Sequence, residues 1–380
     1  MRDSFGNALS LTLFGESHGA AIGAVIHGVA PGVPVDTAFM AAQMDKRRAK
    51  GAISTARREA DAVRILSGVQ RGFATGTAIT LMIENTSTQS EDYAKTQTLL
   101  RPGHADFTAQ AKYHGFQDAR GGGHFSGRLT APLVAAGSIF TQLLRQKGVT
   151  IATHLAQCGG VADAAFSTEP SVLQAQLSAL NACDFAVLDA DAGAAMTAAI
   201  EAAAAEGDSV GGVLETVILG LPAGLGEPFF TSVESELAAL LFSMPAVKGV
   251  EFGAGFALAA LRGSEANDAF CMAAGTGANA ARHIATTTNR NGGINGGITN
   301  GMPIVLRTAV KPTPSIYKPQ NTVDFAAQEN AVLQIHGRHD PCIVHRARVV
   351  QDSLVAFGIA DLCTMAFGTT WQEGAAWTTD

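Results

Sequence analysis

The feature that most constrains this 380-residue chain is a glycine-rich stretch that runs into a long apolar segment. Three consecutive glycines at 121–123 precede the donors His124, Ser126 and Arg128, and residues 129–144 are mostly apolar. Glycines have no side chain to pack, so such a run lets the backbone approach another group closely or turn through positive φ. Free N–H groups and the dipole at a helix N-terminus favour anions. The pattern predicts an anion-binding loop before a core helix; the alternative is a surface turn.

Composition limits the class of protein. Hydrophobic residues make up 47% of the chain and charged residues 16%, which is enough for a large core and excludes disorder. The net charge of −7 argues against a general nucleic-acid or membrane-surface binder. Five scattered cysteines without CxxC spacing indicate free thiols in a reducing compartment. No signal peptide is evident and the apolar runs fall short of about 20 residues, so we expect a soluble, cytoplasmic protein.

Basic residues are concentrated in one part of this acidic chain. Arginine is favoured where a carboxylate or phosphate is held through paired hydrogen bonds. Together with Arg128 and Arg338, the cluster indicates a ligand with several negative charges, and residues 311–315 add a lysine and two hydroxyls suited to phosphate. A solvated helix and an ordinary Pro-rich loop are the alternatives. The cluster comprises Lys46, Arg47, Arg48, Lys50, Arg57, Arg58 and Arg64.

Strands and helices are predicted to mix without regular βαβ alternation, so an α+β fold is favoured over a doubly wound α/β fold. Asp36 is placed to cap the first helix, and the Ala-rich region 153–207 is expected to be helical. Strands are predicted at 9–14, 21–29, 77–83, 211–220, 245–255, 258–263 and 304–310, and further helices at 129–144 and 347–367.

Residues 15–19 match G-x-S-x-G, the nucleophile elbow of serine hydrolases, which needs a strand before it and a helix after it. Here the following residues favour another strand, and the same segment could instead present Ser17 and His18 to a pocket, since His is suited to proton transfer near neutral pH. A hydrolase with Ser17 as nucleophile stays open. Residues 275–280 match a dinucleotide fingerprint only loosely, because no hydrophobic strand precedes them.

A histidine- and cysteine-containing segment near the C-terminus could suggest a metal site. It meets no zinc spacing, and Arg338 within it would repel a cation, so no metal is expected. The residues are His336, His339, Asp340, Cys342 and His345.

Many short motifs in one order identify a resemblance: the chain is similar to the chorismate synthase family nearly from end to end. The motifs are Phe14-Gly-Glu-Ser-His-Gly19, Arg57-Arg-Glu59, Ile83-Glu-Asn-Thr86, Arg101-Pro-Gly-His-Ala-Asp106, Gly121-Gly-Gly, Ser126-x-Arg128, Gly207-Asp-Ser-Val-Gly211, Pro222-Ala-Gly-Leu-Gly-Glu-Pro228, Ala246-Val-Lys-Gly-Val-Glu251, Gly292-Gly-Ile-x-Gly-Gly-Ile298, Lys311-Pro and Arg338-His-Asp-Pro-Cys342.

The resemblance implies a single domain over 1–380, folded as a β-α-β sandwich with helices between two antiparallel sheets, and a homotetramer. It implies reduced FMN as cofactor and 5-enolpyruvylshikimate 3-phosphate as substrate, which loses phosphate and a ring proton in a 1,4-anti elimination that gives chorismate. This is the last common step of the shikimate pathway of aromatic amino-acid biosynthesis. NADPH is expected only as an external source of electrons, because no fingerprint for it stands out.

Roles follow from the resemblance by matching motif. His18 is expected to protonate the departing phosphate, His104 to stabilise or protonate reduced flavin, and Asp340 to assist flavin N5 in taking the ring proton. The residues expected to hold substrate are Ser17, Arg47, Arg48, Arg128 and Arg338. Those expected at FMN are His124, Phe125, Ser126, Pro245, Ala246, Gly296, Lys311, Pro312, Thr313, Pro314, Ser315 and Arg338.

Some positions depart from the family's frequent pattern. His124 and Phe125 stand where many members have Arg and Ser, Asp352 where Glu is usual, and His345 where Pro is frequent. These departures concern individual anion contacts, and a protonated His124 could still serve the FMN phosphate. A flavin- or phosphate-binding protein without catalytic activity therefore remains an alternative.

Overall fold

The computed structural model describes residues 3–51, 53–54, 61–86, 98–273, 282–335 and 340–374. Its strands are Ser4–Phe5 (β1), Ser10–Gly15 (β2), Ala21–His27 (β3), Val63–Ser67 (β4), Val69–Gln70 (β5), Phe73–Ala74 (β6), Ile79–Glu84 (β7), Thr150–Cys158 (β8), Val161–Ala162 (β9), Gly212–Leu219 (β10), Val247–Phe252 (β11), Phe270–Ala273 (β12), His283–Thr286 (β13), Ile294–Asn295 (β14), Ile298–Thr299 (β15), Ile304–Val310 (β16), Gln320–Asp324 (β17) and Glu329–Leu333 (β18).

The helices of the described residues are Thr37–Arg47 (α1), Asp106–Tyr113 (α2), Thr130–Gln146 (α3), Pro170–Ala182 (α4), Ala190–Ala205 (α5), Val233–Ser243 (α6), Gly263–Ala266 (α7) and Val344–Phe367 (α8). Short 3-10 turns lie at Gly123–Phe125, Gly127–Leu129, Gly255–Ala260 and Thr369–Gln372.

Two five-stranded sheets carry the fold. One has the order β1-β2-β3-β7-β4 and the other β11-β16-β10-β8-β9, and every pairing in both is antiparallel. In β7 the buried Ile79, Leu81 and Ile83 alternate with more exposed residues, as expected of a sheet with one face on the core.

Two long helices fill the space between the sheets. Helix α3 packs on β2, β3 and β7, helix α8 packs on β8 and β10, and the two helices pack on each other. Most residues of both helices are buried, because each meets a sheet on one side and a helix on another. The predicted α+β sandwich, with helices between two antiparallel sheets, is confirmed.

The last helix connects to the start of the chain. Asp361 on α8 accepts hydrogen bonds from the backbone N–H groups of Asn7, Ala8 and Leu9 at 2.8, 2.9 and 2.7 Å. Helix α8 has 24 residues and is long and apolar enough to cross a membrane, but 83% of its apolar window is buried inside the protein. Its apolar part is longer than predicted from the sequence. The burial of that part is typical of a core helix.

Several local predictions are confirmed and two are wrong. Asp36 caps α1 by accepting from the N–H groups of Ala38 and Phe39. The region from 153 begins with β8 rather than a helix, since Thr153 and its neighbours pair with β10. Residues 258–263 are not a strand but run from a 3-10 turn towards α7, and that turn has no buried residue.

Candidate active site

A cavity of about 790 Å³ lies where β1, β2 and the start of α3 meet the end of α6 and the segment after β16. Its walls include Leu11, Leu13, Leu129, Leu133 and Leu240, so much of its surface is apolar. Cavities of this size and mixed lining are typical of small-molecule sites. The sequence-predicted site residues that line it are His104, His124, Phe125, Ser126, Pro245, Ala246, Lys311, Thr313, Pro314, Ser315 and Asp340.

His104 is held by a network of charged groups. Its Nδ1 lies 2.8 Å from Oδ1 of Asp106, and Arg101 binds both oxygens of the same carboxylate at 2.8 and 2.6 Å. Burial alone would raise the pKa of Asp106, but hydrogen bonds from Arg101 and His104 outweigh it and hold that pKa well below its ordinary value. Asp106 is therefore ionised at neutral pH and fixes the orientation of the imidazole.

The turn that carries His104 also contacts the segment after β16. Lys311 donates through Nζ to the carbonyl of Gly103. Gly103 has a φ of +71°, and a Cβ there would lie 3.4 Å from Cβ of Pro314. A glycine at this position gives the left-handed turn and the close approach together, so His104 and residues 311–315 share one wall.

Ser17 and His18 lie in the connection between β2 and β3 and pack against the glycine run. Ser17 Oγ is 3.0 Å from His18 Nδ1, and the N–H of Ser17 donates to the carbonyl of Gly123 at 3.1 Å. A Cβ on Gly121 would lie 2.3 Å from Cε1 of His18, so only glycine fits there. The carbonyl of Gly121 in turn accepts from Arg101 at 2.8 Å, which connects the His18 segment to the Arg101–Asp106–His104 network.

His124 and Phe125 close the glycine run on the cavity side. His124 Nδ1 lies 2.9 Å from the carbonyl oxygen of Gly15, where β2 ends. The ring of Phe125 lies 6.2 Å from that of Tyr113 between centroids, at an interplanar angle of 58°. His124 thus takes part in holding the glycine run against β2.

Two of the predicted substrate arginines are buried around one carboxylate. Asp61 accepts from Nη1 of Arg47 at 2.9 Å and from Nη1 of Arg128. Arg47 also donates to Thr130 Oγ1 and to the carbonyl of Gly127, at the start of α3. Both guanidinium groups pair with this one carboxylate among the described residues, and Gly127 and Thr130, which bond to Arg47, line the cavity. Asp61 was not among the residues predicted from the sequence. A carboxylate within a run of basic residues was the signal that could have indicated this pairing.

Asp340 is held by a residue that the sequence analysis also missed. Arg346 donates through Nη1 to both carboxylate oxygens of Asp340 at 2.9 and 2.8 Å, and through Nε to the carbonyl of Arg47 at 2.9 Å. Arg346 stands in the first turn of α8, six positions after Asp340. It therefore joins the Asp340 segment to the end of α1. Arg338 lies outside the described residues, as do Arg57 and Arg58.

The other predicted residues do not line this cavity within the described part of the chain. Ser17, His18, Arg47 and Arg128 form the adjoining buried layer. Arg48 pairs with Asp45 at 3.2 Å on the surface. Gly296 lies in the turn between β14 and β15, and Pro312 packs beside Gly211. His336, His339 and residues 275–280 lie outside the described residues.

The fold and most of the sequence have known counterparts. A chorismate synthase family profile matches residues 9–364. The chain belongs to the chorismate synthase family. Chorismate synthase from Thermococcus gammatolerans is 46% identical over 94% of this chain and 96% of its own length, and that from Dehalococcoides mccartyi is 44% identical over 96% and 98%. A solved structure titled "Crystal Structure of Chorismate Synthase" superposes with a TM-score of 0.74 at 26% identity, covering 98% of this chain and 95% of that one.

Membership of the chorismate synthase family gives the reaction class. The enzyme is a carbon–oxygen lyase that eliminates phosphate from 5-enolpyruvylshikimate 3-phosphate to form chorismate, a step of aromatic amino-acid biosynthesis. The serine hydrolase interpretation loses its structural basis, because Ser17 is followed by β3 and not by the helix that a nucleophile elbow requires.

The flavin that chorismate synthases use can be tested against the cavity. Thr313 lines it, and its Oγ1 is buried without a hydrogen-bond partner among the described residues. Buried polar atoms normally have partners. Ala246, also on the wall, has a φ of +74°, a left-handed conformation that is uncommon for a non-glycine residue. An unpartnered hydroxyl beside leucine-rich walls fits a ligand that combines a flat apolar ring with polar groups.

Proposed function

We propose that this cavity holds reduced FMN, with the substrate between the flavin and the His18 segment, and that the elimination takes place there. The observation that carries the proposal is the convergence on one cavity of His104, Asp340, residues 124–127 after the glycine run, and Lys311 with residues 313–315. These four groups come from distant parts of the sequence. Thr313 Oγ1 is buried and has no hydrogen-bond partner among the described residues, as expected of a group that bonds to a ligand.

Polar groups on two walls suit FMN. Ser126, Thr313 and Ser315 offer hydroxyls, Lys311 offers a cation, and leucines line the space that the ring would occupy. When bound, the reduced flavin supplies electron density to the allylic position as phosphate leaves. The protein's contribution is placement and electrostatics. NADPH serves, in this proposal, only as an external electron source.

Three side chains handle protons. His18 protonates the departing phosphate, because its imidazole lies beside Gly121 and imidazole is the side chain suited to proton transfer near neutral pH. His104, oriented by ionised Asp106, stabilises the reduced flavin. Asp340, held by Arg346, assists the flavin in accepting the ring proton.

Substrate anions are held by the basic layer. Ser17, Arg48 and Arg338 are proposed to contact the substrate. Arg47 and Arg128 donate to Asp61 and to backbone carbonyls, so we propose that they act mainly through the positive potential of their cluster. The start of α3 favours an anion at the same end of the cavity.

The remaining expectations extend this proposal. We propose a single domain over 1–380, a cytoplasmic location and a homotetramer. An exposed apolar face supports self-association: Phe270, Met272 and Ile284 on β12 and β13 are 71%, 52% and 66% exposed. Met272 pairs with Ile284, and Phe270 lies two residues along, so the three side chains share one face. Such a face favours a second copy of the chain.

Anaerobic incubation of the purified protein with reduced FMN and 5-enolpyruvylshikimate 3-phosphate tests the reaction. We expect stoichiometric release of phosphate and chorismate, and a flavin absorbance change when substrate and oxidised FMN bind together. Flavin binding without product would favour the non-catalytic alternative. Labelling of Ser17 by a fluorophosphonate would revive the hydrolase alternative.

A further inference from the structure

Two buried cysteines next to the Asp340 segment are in direct contact. Cys158 ends β8, Cys342 precedes α8, and their Sγ atoms lie 3.5 Å apart. Both side chains are fully buried. We propose that Cys158 and Cys342 are a modification site, a dithiol that a small peroxide oxidises reversibly to a disulfide.

A histidine stands beside the pair. The Nε2 atom of His345 lies 2.9 Å from Ser54 Oγ, and its ring stacks on Phe185 at 6.1 Å between centroids. The other ring nitrogen, Nδ1, is buried without a hydrogen-bond partner among the described residues. His345 is three residues from Cys342, on the first turn of α8, and is thus placed to accept a proton from its thiol.

The surroundings favour a thiolate on one cysteine of the two. Contact with the thiol of Cys158 and with His345 lowers the pKa of Cys342 despite its burial. The same contact and burial raise the pKa of Cys158. Because the thiolate is the nucleophile, Cys342 attacks and Cys158 resolves.

The oxidant reaches Cys342 through the cavity wall. Asp340 and Ile343, on either side of Cys342 in the sequence, both line the cavity, so the segment that carries the sulfur borders it. The Cys342 thiolate attacks one oxygen of hydrogen peroxide, the O–O bond breaks, and hydroxide leaves as water with the proton held by His345. The Cys342 sulfenic acid then reacts with the Cys158 thiol, which gives the S–S bond and a second water. Two thiols lose two electrons, and peroxide gains them.

Bond formation would move the Asp340 segment. A disulfide bond is about 2.05 Å long, so the sulfurs must approach by about 1.5 Å. Cys158 is fixed in the sheet by its pairing with Gly212 and Val161, whereas Cys342 lies in the connection before α8. Most of the movement therefore falls on residues 340–343. A consequence, which rests on the proposed function, is that oxidation misplaces Asp340 and reversibly lowers the rate.

The full-length protein is treated with hydrogen peroxide, blocked with iodoacetamide under denaturing conditions without reductant, and analysed by intact mass and peptide mapping. We expect three carbamidomethyl groups on the oxidised protein instead of the five on the reduced protein, and a peptide that joins Cys158 to Cys342. Cys158→Ser and Cys158→Ala should each abolish that peptide. Cys183→Ser and Cys271→Ser, at exposed cysteines, should retain it. The proposal is overturned if the wild type gives no such peptide or joins Cys183 or Cys271 instead.

A second measurement separates the bond from its consequence. His345→Gln should slow disulfide formation at least tenfold, and an unchanged rate would remove His345 from the chemistry. Wild-type turnover should fall on oxidation and return with dithiothreitol. A disulfide that leaves turnover unchanged would overturn the coupling to Asp340. Absence of turnover before oxidation would instead refute the proposed function and leave the mass result intact.

Discussion

The Nδ1 atom of His104 lies 2.8 Å from the carboxylate of Asp106, which Arg101 grips through two hydrogen bonds. An ionised carboxylate can only accept a hydrogen bond, so Nδ1 of His104 carries a proton in this contact. The Nε2 atom then remains available to a ligand in the cavity. Asp106 thus determines which nitrogen of His104 a ligand meets.

Replacing Asp106 should disturb His104 more than the cavity itself. For Asp106→Asn we expect turnover to fall by about tenfold to a hundredfold with a small change in flavin affinity, because the imidazole loses its fixed orientation. Steady-state kinetics and flavin titration check this. Asp184→Asn, which alters an exposed pair with Lys50, is the matched control and should behave as wild type.

Asp106 also gives a pH dependence with a definite sign. Its pKa is lowered in the folded state, so it stabilises the fold above its ordinary pKa of about 4, and this contribution is lost as the pH falls through the folded value. The stability difference between wild type and Asp106→Asn should therefore be largest near neutral pH and shrink below about pH 4. A difference that grows on acidification would contradict the ionised state of Asp106.

His18→Ala should separate binding from chemistry. We expect flavin and substrate to bind while turnover falls by about 10²–10⁴, the range for loss of a general acid. The control is His27→Ala at an exposed position on β3. An unchanged rate in His18→Ala would remove this histidine from the mechanism.

Thr313→Val tests the flavin assignment. Because Thr313 Oγ1 has no partner among the described residues, its loss should leave the unfolding midpoint unchanged, yet weaken flavin binding by about tenfold, the value of one hydrogen bond. Thr299→Val is the converse control, since Thr299 Oγ1 bonds to Leu225 N and Pro222 O, and it should lower stability without affecting flavin. If Thr313→Val binds flavin as tightly as wild type, its hydroxyl does not contact the cofactor.

Asp61→Asn should strongly destabilise the fold. It removes the buried carboxylate that pairs with both Arg47 and Arg128, and breaking a buried pair in this way costs about 3–5 kcal/mol in the free energy of unfolding. Asp45→Asn breaks exposed pairs with Arg48 and Lys50 and should cost less than about 1 kcal/mol. Urea denaturation measures both, and equal losses would argue against the buried cluster.

Phe270→Asp should weaken self-association. A charge on the exposed face of β12 disfavours burial against a second chain. Light scattering or sedimentation should show a smaller species than wild type. Phe116→Asp, at a side chain that is 92% exposed elsewhere, should leave the mass unchanged. Wild type that is already monomeric would refute the homotetramer proposal.

The elements that the sequence predicted best were those with strong local signals. Asp36 marked the start of α1, and the apolar run marked α3. Strand β8 was missed because its composition, with Ala152, His154 and Ala156, is not typical of a strand. Its conformation comes from pairing with β10, a contact more than 50 residues away.

The site was predictable in its parts but not in its connections. Motifs identified His104, His124 and residues 311–315, which line one cavity. Asp61 and Arg346 were not identified, because their importance lies in partners distant in sequence, such as Arg128 and the carbonyl of Arg47. Only the fold brings such pairs together, so periodicity and spacing could not reveal them.

The position of α8 has a consequence for how the protein is made. Its side chains fill the middle layer, and Asp361 holds the backbone of residues 7–9, yet the ribosome makes this helix only after every strand of both sheets. Until residues 344–367 leave the exit tunnel, β8, β10 and one side of α3 keep apolar surface exposed. Native packing therefore has to await α8, and nascent chains with this surface exposed are clients for chaperones that shield hydrophobic surface.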